Sequence, residues 1–332
     1  MAGPFYVDPA GDNSDGLTWA KAKTTLAAGY ALAGAGEIVY CRGTETMGAT
    51  ATLATAGSEA AGYVKVIGCN ASTGAVDGTT YKMNADGNAY NISCNVINQW
   101  FQNIEVYGST THGWAFASSF DYSVLINCIA RNNTGTGFYA LSSYNKLIKC
   151  RSYTNGASGF TVGSGNNLFL FCVSYDNTDD GFVLLQTGQT CIGCVAHDNG
   201  ASDNAGFSGV DIHGVIFNCV ADGEVYGVAL NDASASVFGT RMTNCSTNGL
   251  LIDTTADCSV YGWNVFDTNT ADVTDLSTGS SAIPDDADTD TNEYDPDADD
   301  GYNNKATHDF NLKATRTYNG EADDAIDLNF GS

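Results

Sequence analysis

A motif of about 22 residues recurs through the middle of the chain, and it constrains the fold more than any other feature. From Ser123 to Ile252 the copies align on a cysteine. They read NCIARNNTGTGF (127–138), KCRSYTNGASGF (149–160), FCVSYDNTDDGF (171–182), GCVAHDNGASDNAGF (193–207), NCVADGEVYGV (218–228) and TRMTNCSTNGL (240–250). A short fixed period predicts stacked coils, each of which buries its apolar side against its neighbours.

Three columns of residues recur within these coils. The cysteine column is Cys128, Cys150, Cys172, Cys194, Cys219 and Cys245. Five residues later comes an Asn column, Asn133, Asn155, Asn177 and Asn199, and further on a Gly-aromatic pair such as Gly137-Phe138. Small thiols pack well in a core, Asn suits corners where its amide reaches the next coil, and stacked rings fill the interior. We expect all three columns to be structural.

Alternation along a strand then predicts which residues face outward. Positions two before and two after the cysteine, such as Ile126 and Ala130, should share its interior side. Positions three before and one after should form an outward apolar stripe, namely Leu125, Leu147, Phe169 and Ile216 with Ile129, Val173, Val195 and Val220. Cys191 of the CIGC segment also falls outward. Such a stripe needs a cover, either another subunit or part of 264–332.

Here the sequence resembles a known superfamily. The coil motif, the opening FYVDPAGDNSDGLTWAKA and the closing DFNLKA (309–314) are similar to the right-handed parallel β-helix proteins of the pectate-lyase-like superfamily. The resemblance implies an all-β solenoid, with the handedness taken from the superfamily. Its members include polysaccharide lyases, polygalacturonase-type hydrolases, epimerases, and phage tailspikes and other virion appendages, so the motif indicates fold more than activity.

We therefore predict a right-handed parallel β-helix with a short N-terminal capping helix and an irregular acidic C-terminal cap. Residues 1–50 form a strand-helix-strand cap, 51–263 form the coils, and 264–332 form an acidic loop and cap. The capping helix is expected in TWAKAKTTLAAGYALA, where Trp19, Leu26 and Ala31 can share one helical face.

Charge narrows the choice of partners. The chain has 38 Asp and Glu against 13 Lys and Arg, a formal charge of −25, which disfavours nucleic acid and anionic membranes. The N-terminus shows no signal peptide and no stretch reaches transmembrane length, so we expect synthesis in a reducing cytoplasm, where the thiols stay free. Secretion or a cell-surface location, with a leader already removed, is the alternative.

One candidate catalytic group lies in the corner after the third cysteine. Asn177-Thr178-Asp179-Asp180 resembles the NTD motif of polygalacturonase-type hydrolases, and Asp203 falls in an insertion one coil later. Paired carboxylates can act as acid and base on a glycosidic bond or hold calcium. However, Asn177 belongs to the structural Asn column, and the later Gly-His-Gly and Arg-Ile-Lys elements of those hydrolases are missing.

A second candidate is a ladder of polar and aromatic residues at one outward position. It consists of Arg131, Tyr153, Tyr175, His197 and Asp222, with Lys149 and Arg151 nearby. Aromatic faces and polar edges suit carbohydrate, and a lyase needs a base such as His or Tyr and a cation that neutralises the uronate carboxylate. We predict Arg131, Tyr153, Tyr175 and His197 as carbohydrate-binding residues. Ordinary packing across a sheet surface also explains such a ladder.

The acidic segment DDADTDTNEYDPDADDGYNN (285–304) has the composition of a calcium loop. Asp295, Asp297 and Asp299 are its candidate ligands, and calcium is the only cofactor that the sequence suggests. An EF-hand needs Gly at the sixth position and Glu at the twelfth, and counting from Asp295 these are Asp300 and Ala306. A flexible acidic loop is therefore the competing interpretation.

For function, the missing leader, the free thiols, the apolar stripe and the incomplete catalytic set favour a structural or receptor-facing phage virion protein. Its partners would be other virion subunits or itself as a homotrimer, with a cell-surface glycan as a further ligand. The first alternative is a polysaccharide lyase or glycoside hydrolase. The second is a calcium-dependent surface or adhesion module.

Overall fold

The protein is a right-handed parallel β-helix whose coils each contribute one strand to three sheets. The computed structural model describes residues 3–200, 204–210, 213–230, 235–253 and 264–276, and strands at 259–260, 293–294, 302–304, 309–312, 316–318 and 321–323. Pairing within the three sheets is parallel throughout the described registers. Sequence had predicted this fold class, and the structure confirms it. Within the described residues, no helix is long and apolar enough to cross a membrane.

The three sheets are named A, B and C here. Sheet A comprises Phe5–Val7, Ile38–Arg42, Val64–Cys69, Gln99–Gln102, Val124–Ile126, Lys146–Ile148, Leu168–Leu170, Thr190–Ile192, Val215–Phe217, Ser236–Phe238 and Ser259–Val260. Sheet B comprises Thr44–Thr46, Tyr81–Asn84, Ile104–Tyr107, Ile129–Arg131, Arg151–Tyr153, Val173–Tyr175, Val195–His197, Val220–Asp222, Arg241–Thr243, Asn264–Asp267 and Glu293–Tyr294. Sheet C comprises Ala51–Leu53, Tyr90–Cys94, His112–Phe116, Phe138–Ala140, Phe160–Val162, Phe182–Leu184, Ala205–Val210, Tyr226–Leu230, Asn248–Ile252 and Ala271–Asp275. Two antiparallel pairs follow, Tyr302–Asn304 with Asp309–Leu312 and Arg316–Tyr318 with Glu321–Asp323.

Between residues 99 and 223, each corner of a coil contains a residue in the left-handed backbone conformation. At the corner from sheet A to sheet B, the φ angles of Asn127, Lys149 and Phe171 are 50°, 54° and 54°. Asn132 and Thr154 have the same left-handed conformation at the corner from sheet B to sheet C, and so does Tyr122 at the corner from sheet C to sheet A. A single left-handed residue bends the strand sharply and lets its N–H donate to the next coil, as Lys149 does to the Leu170 carbonyl at 2.8 Å.

The left-handed corner also resets the alternation of side chains, and this corrects the predicted faces. Leu125, Leu147, Phe169, Ile216 and Cys191, all predicted to point outward, are buried in the core. The predicted interior residues Ile126, Ile148, Leu170 and Phe217 instead face outward. Strict alternation fails because the corner residue between them and the cysteine belongs to neither face.

An apolar outer stripe does exist; its members on sheet A differ from the prediction, whereas Val173, Val195 and Val220 on sheet B were predicted. On sheet A it runs through Ile126, Ile148, Leu170, Ile192, Phe217 and Phe238, and on sheet B through Val173, Val195 and Val220. Phe171 projects from the corner between them, 56% exposed. What covers this stripe is untested, so the homotrimer stays a prediction.

The interior is built from stacked identical side chains. Trp114, Phe138, Phe160, Phe182 and Phe207 form one column, with ring centroids 5.8, 4.9, 4.7 and 4.9 Å apart. Cys128, Cys150, Cys172, Cys194 and Cys219 form another, and every described cysteine is free and buried. Both columns confirm the sequence prediction. Gly137 precedes Phe138 because a Cβ there would lie 2.0 Å from the Ser152 hydroxyl.

The Asn column is a continuous hydrogen-bonded ladder at the corner from sheet B to sheet C. Asn155 Nδ2 donates to Asn177 Oδ1 at 2.8 Å, and Asn133 Nδ2 donates to Asn155 Oδ1 at 2.9 Å. Each Oδ1 also accepts the backbone N–H of the preceding coil's Asn, as Asn177 Oδ1 does from Asn155. Such reciprocal bonding satisfies polar groups that would otherwise be buried unpaired.

Two further predictions were wrong in detail. Cys245 lies outside the cysteine column, because Val220 pairs with Arg241, which places Thr240 beside Cys219 and Cys245 beside Glu224. The N-terminal segment holds a 3-10 turn, Trp19–Lys21, and a separate α-helix, Leu26–Tyr30. Lys23 pairs with Val7 between them and Thr25 caps the second helix, so Trp19 and Ala31 share no helical face with Leu26.

Replacing Asn155 with Ala should destabilise the fold. The change leaves the backbone N–H and the Nδ2 of Asn133 without their acceptor, and Asn177 Oδ1 keeps only the backbone N–H of residue 155. The expected cost is about 2 to 4 kcal/mol in free energy of unfolding. Urea denaturation measures it. Thr134→Ala, at an exposed position in a neighbouring turn, should cost less than about 0.5 kcal/mol. Equal effects of the two changes would contradict the ladder's role.

Candidate functional site

The predicted ladder of polar and aromatic residues is present on the outer face of sheet B. Strand register places Tyr107, Arg131, Tyr153, Tyr175, His197 and Asp222 side by side on successive coils. The Tyr153 and Tyr175 rings are 4.7 Å apart and nearly parallel, and Tyr175 and His197 are 4.9 Å apart. Successive side chains of one sheet position therefore make a flat, partly exposed aromatic strip.

Cations flank this strip at one end. The Arg131 guanidinium lies over the Tyr107 ring at 4.5 Å and is ion-paired with Glu105 at 2.7 Å. Arg151, in the same strand as Tyr153, is exposed, and so is Lys149 at the preceding corner. Burial raises the pKa of Tyr175 and the neighbouring Tyr153 raises it further, while the charge of Arg151 opposes them. Arg151 therefore acts electrostatically on the strip.

His197 has a defined orientation. Its Nδ1 lies 3.0 Å from Asp198 Oδ2, and a carboxylate can only accept, so the hydrogen sits on Nδ1 when the imidazole is neutral. The Nε2 lone pair is then left free. A neutral imidazole held by a carboxylate in this way can take a proton from a ligand on the outer face.

Charge is distributed unevenly among the three sheets. Between residues 38 and 267, the strands and corners of sheets A and B hold all eight Lys and Arg residues, at positions 42, 65, 82, 131, 146, 149, 151 and 241. The strands of sheet A contain no Asp or Glu. Sheet B also carries Glu105 and Asp222, so the strands of sheet A repel an anionic ligand least, and on sheet B such a ligand meets the exposed cations Lys149 and Arg151.

The predicted carboxylates are only partly brought together. Asp180 is half-buried, and its Oδ1 and Oδ2 accept from the Ala205 N–H at 2.6 Å and the Ser208 hydroxyl at 2.8 Å. Burial raises its pKa, and Asp179 adds to the rise. Asp179 is exposed in the same turn, and Asp203 lies outside the described residues. Asp180 thus holds the turn to the next coil, and the catalytic role of the three stays a prediction.

A metal centre finds no support in the described part of the chain, which contains no group of three or more His, Cys, Asp or Glu residues able to hold an ion. The predicted calcium ligands Asp295, Asp297 and Asp299 lie outside the described residues. Calcium binding there stays a prediction.

A second aromatic stack, on the outer face of sheet C, was missed from sequence. The His112 ring lies 4.4 Å from Tyr139 and 5.9 Å from Tyr90, nearly parallel to both. Its Nδ1 accepts the Thr136 N–H at 3.2 Å, and burial lowers its pKa. His112 is therefore neutral with its hydrogen on Nε2, so it offers a donor where His197 offers an acceptor. His112 and Tyr139 occupy different strand positions, so no single column reveals the stack.

Glu224 was also missed as part of the Asn ladder. It follows Asn199 in that column and is 1% exposed, with Oε1 accepting from Asn199 Nδ2 at 2.8 Å. Its Oε2 has no hydrogen-bond partner. Burial raises its pKa to about 8, and Asp198 and Asp180 contribute to the rise. The column position, five residues after Cys219, is the signal that identifies it.

Comparison with known proteins gives a fold. No family model and no curated protein sequence matches the chain. Among solved structures, pectate lyase Pel9A is similar at 17% identity and TM-score 0.56, over 84% of this chain and 81% of that one. A rhamnogalacturonan lyase is similar at 16% identity and TM-score 0.60, over 74% of this chain and 75% of that one. An alginate lyase from Paenibacillus sp. is similar at 12% identity and TM-score 0.61, over 75% of this chain and 94% of that one. At these identities the likeness establishes a shared fold.

Replacing Glu224 with Gln should remove a pH-dependent loss of stability. The folded carboxyl titrates at about 8, against a usual value of 4.5. Unfolding therefore releases a proton between these values, and wild-type stability falls as pH rises through this range and is constant above it. The variant should exceed wild type by an amount that grows from pH 5 to pH 8, on the order of 4 kcal/mol.

Urea denaturation of both proteins across this pH range measures the difference. Asp176→Asn, which removes an exposed carboxylate from the same corner, should change stability by less than about 0.5 kcal/mol. A stability difference between Glu224→Gln and wild type that is the same at pH 5 and pH 8 would contradict the assignment.

Proposed function

We propose that the protein is a polysaccharide lyase that binds a uronate-containing polysaccharide along the outer face of sheet B. The observation that carries this proposal is His197. It is oriented by Asp198, stacked on Tyr175, and lies on the face that also holds Arg131 and Arg151. The three solved structures with the same fold are named as lyases of pectate, rhamnogalacturonan and alginate, which supports the same class.

Binding would use the aromatic strip and its cations together. Coils of a β-helix repeat about every 4.8 Å, so a polysaccharide lying along the axis presents successive sugars to successive side chains. The faces of Tyr153 and Tyr175 suit the C–H faces of sugar rings. The guanidinium of Arg151 pairs with a uronate carboxylate, for which its planar donors are well shaped.

The reaction follows from the chemistry of that carboxylate. With its charge neutralised by Arg151, the hydrogen on the adjacent C5 becomes acidic, and Nε2 of His197 takes this proton. The C5–H electrons form a C4–C5 double bond as the C4–O bond breaks. The departing oxygen takes a proton, from the Tyr175 hydroxyl or the protonated His197. The products are an unsaturated uronate and a new chain end, and no water or oxidant is consumed.

Three other functions were predicted from the sequence. The calcium-dependent surface or adhesion module stays a prediction, because its candidate ligands Asp295, Asp297 and Asp299 lie outside the described residues. A hydrolase would rely on Asp179, Asp180 and Asp203, but the Asp180 carboxylate already bonds the Ala205 N–H and Ser208. The virion protein, our first prediction from sequence, has less support than the enzyme, because the solved structures that support the fold carry the names of enzymes. A virion location, a homotrimer and a secreted or surface location stay predictions.

The proposal predicts that the purified chain releases unsaturated products from at least one uronate-containing polysaccharide, measured by their ultraviolet absorbance on a panel that includes pectate and alginate. His197→Asn, which keeps a donor for Asp198 but lacks a base, should lower the rate by ~100- to 10,000-fold. The matched control is His112→Asn, which changes the other stacked histidine and should retain activity.

Three other outcomes would contradict the proposal, and each points to a different conclusion. New reducing ends without unsaturated products, lost in Asp179→Asn, would indicate the hydrolase. Loss of activity in His112→Asn with an active His197→Asn would move the site to sheet C. No cleavage of any polysaccharide on the panel would remove the enzyme.

A further inference from the structure

A pair of exposed tyrosines stands at the corner from sheet C to sheet A, on the opposite side of the coil from sheet B. Tyr122 and Tyr144 lie on adjacent coils, with ring centroids 5.0 Å apart and planes 3° from parallel. They are 53% and 49% exposed. No other part of the described chain presents two stacked rings as open to solvent as these.

Both tyrosines have a backbone conformation that disfavours them. Their φ angles are 57° and 60°, in the left-handed region, where a bulky side chain is strained. The same corner position is taken by Asn98 and Asn166 on the flanking coils and then by Gly188, residues that tolerate this conformation. His213 takes the position on the coil after Gly188, with a φ of 59°. Asn and Gly adopt this conformation with less strain than Tyr, so the tyrosines occupy the corner at a cost in folding stability.

The surroundings of the pair fit a sugar better than a purely apolar partner. Leu141, at the end of the neighbouring sheet C strand, is exposed beside the corner. Ser143 and Ser164 share a hydroxyl hydrogen bond at 2.6 Å next to it. Lys146, two residues after Tyr144, is exposed at the start of the sheet A strand Lys146–Ile148 and can pair with a uronate carboxylate. The Asp121 carboxylate is also at this corner, where its Oδ1 accepts the Ser143 N–H at 2.7 Å. Flat rings bordered by hydroxyls and by charges of both signs match the mixed apolar and polar surface of a polysaccharide.

We propose that Tyr122 and Tyr144 form a second polysaccharide-binding surface, separate from the site on sheet B. It relies on the proposed function for the kind of ligand and not for the reaction. Because a coil has three sides, this corner and the outer face of sheet B point in opposite directions. One straight sugar chain cannot contact both, so the corner holds a second chain and keeps the protein attached to a polymer matrix while sheet B acts on its own ligand.

The test replaces both tyrosines with the residue that the corner prefers. The double variant Tyr122→Asn/Tyr144→Asn relieves the backbone strain, so its melting temperature should be equal to or above that of wild type. Retention in gels containing pectate or alginate should weaken by about 10-fold, the value expected from losing two stacking contacts. The rate on short soluble oligosaccharides should stay unchanged.

The matched control is Phe171→Asn, which also removes an aromatic residue with a φ of 54° and 56% exposure, but at the corner between sheets A and B. It should leave retention unchanged. Retention of the double variant equal to wild type, or no retention of wild type by either polymer, would overturn the proposal. A change in self-association by light scattering with unchanged retention would assign the pair to contact between copies and overturn it also.

The proposed function can fail separately. A wild type that is retained by the gels but releases no unsaturated product, with retention lost in the double variant, would sink the lyase and support the second surface.

Discussion

The left-handed residue at each corner is the constraint on which the rest of the structure depends. At the corner from sheet A to sheet B it turns the chain within two residues and directs one N–H into the following coil, as at Asn127, Lys149 and Phe171. Because the same turn recurs on every coil, identical side chains come into register, and stacking of Phe, Cys and Asn follows. The corner also decides which residues of the next strand face the core, so it decides which side chains a ligand can meet.

The corners therefore separate the polar side chains of this protein into a buried set and a set on the outer surface. Inside, the Asn ladder satisfies its amides coil by coil until Glu224, whose unpartnered Oε2 and pKa of about 8 mark the place where the ladder is least well matched. Outside, the cations lie on sheets A and B, and the aromatic strip of Tyr153, Tyr175 and His197 lies beside them. The proposed lyase site and the proposed second surface at Tyr122 and Tyr144 both use side chains that are not packed in the core.

Sequence predicted what a single column can reveal. The stacked coils, the Phe stack, the Asn ladder and the order Arg131, Tyr153, Tyr175, His197 could be derived, because each follows from positions of the repeat. The right-handedness came from the resemblance to a known superfamily. Predictions that crossed a corner failed. Leu147 and Cys191 are buried because the left-handed residues Lys149 and Gly193 interrupt the alternation of side chains. A lysine gives no sequence signal for a left-handed backbone conformation. Cys245 was misplaced because Thr240 takes the cysteine position in that coil and the next cysteine comes five residues later. The His112 stack was missed because its rings come from different positions of the repeat.

Thiol labelling of the folded protein tests the claim about the corners most directly. The variants Leu147→Cys and Ile148→Cys place a new thiol on neighbouring residues just before the Lys149 corner, against a background of native cysteines that are buried wherever the structure describes them. We expect a maleimide to react rapidly with the Ile148→Cys thiol, while the Leu147→Cys thiol stays protected until the protein unfolds. Rapid labelling of Leu147→Cys together with a protected Ile148→Cys would contradict it.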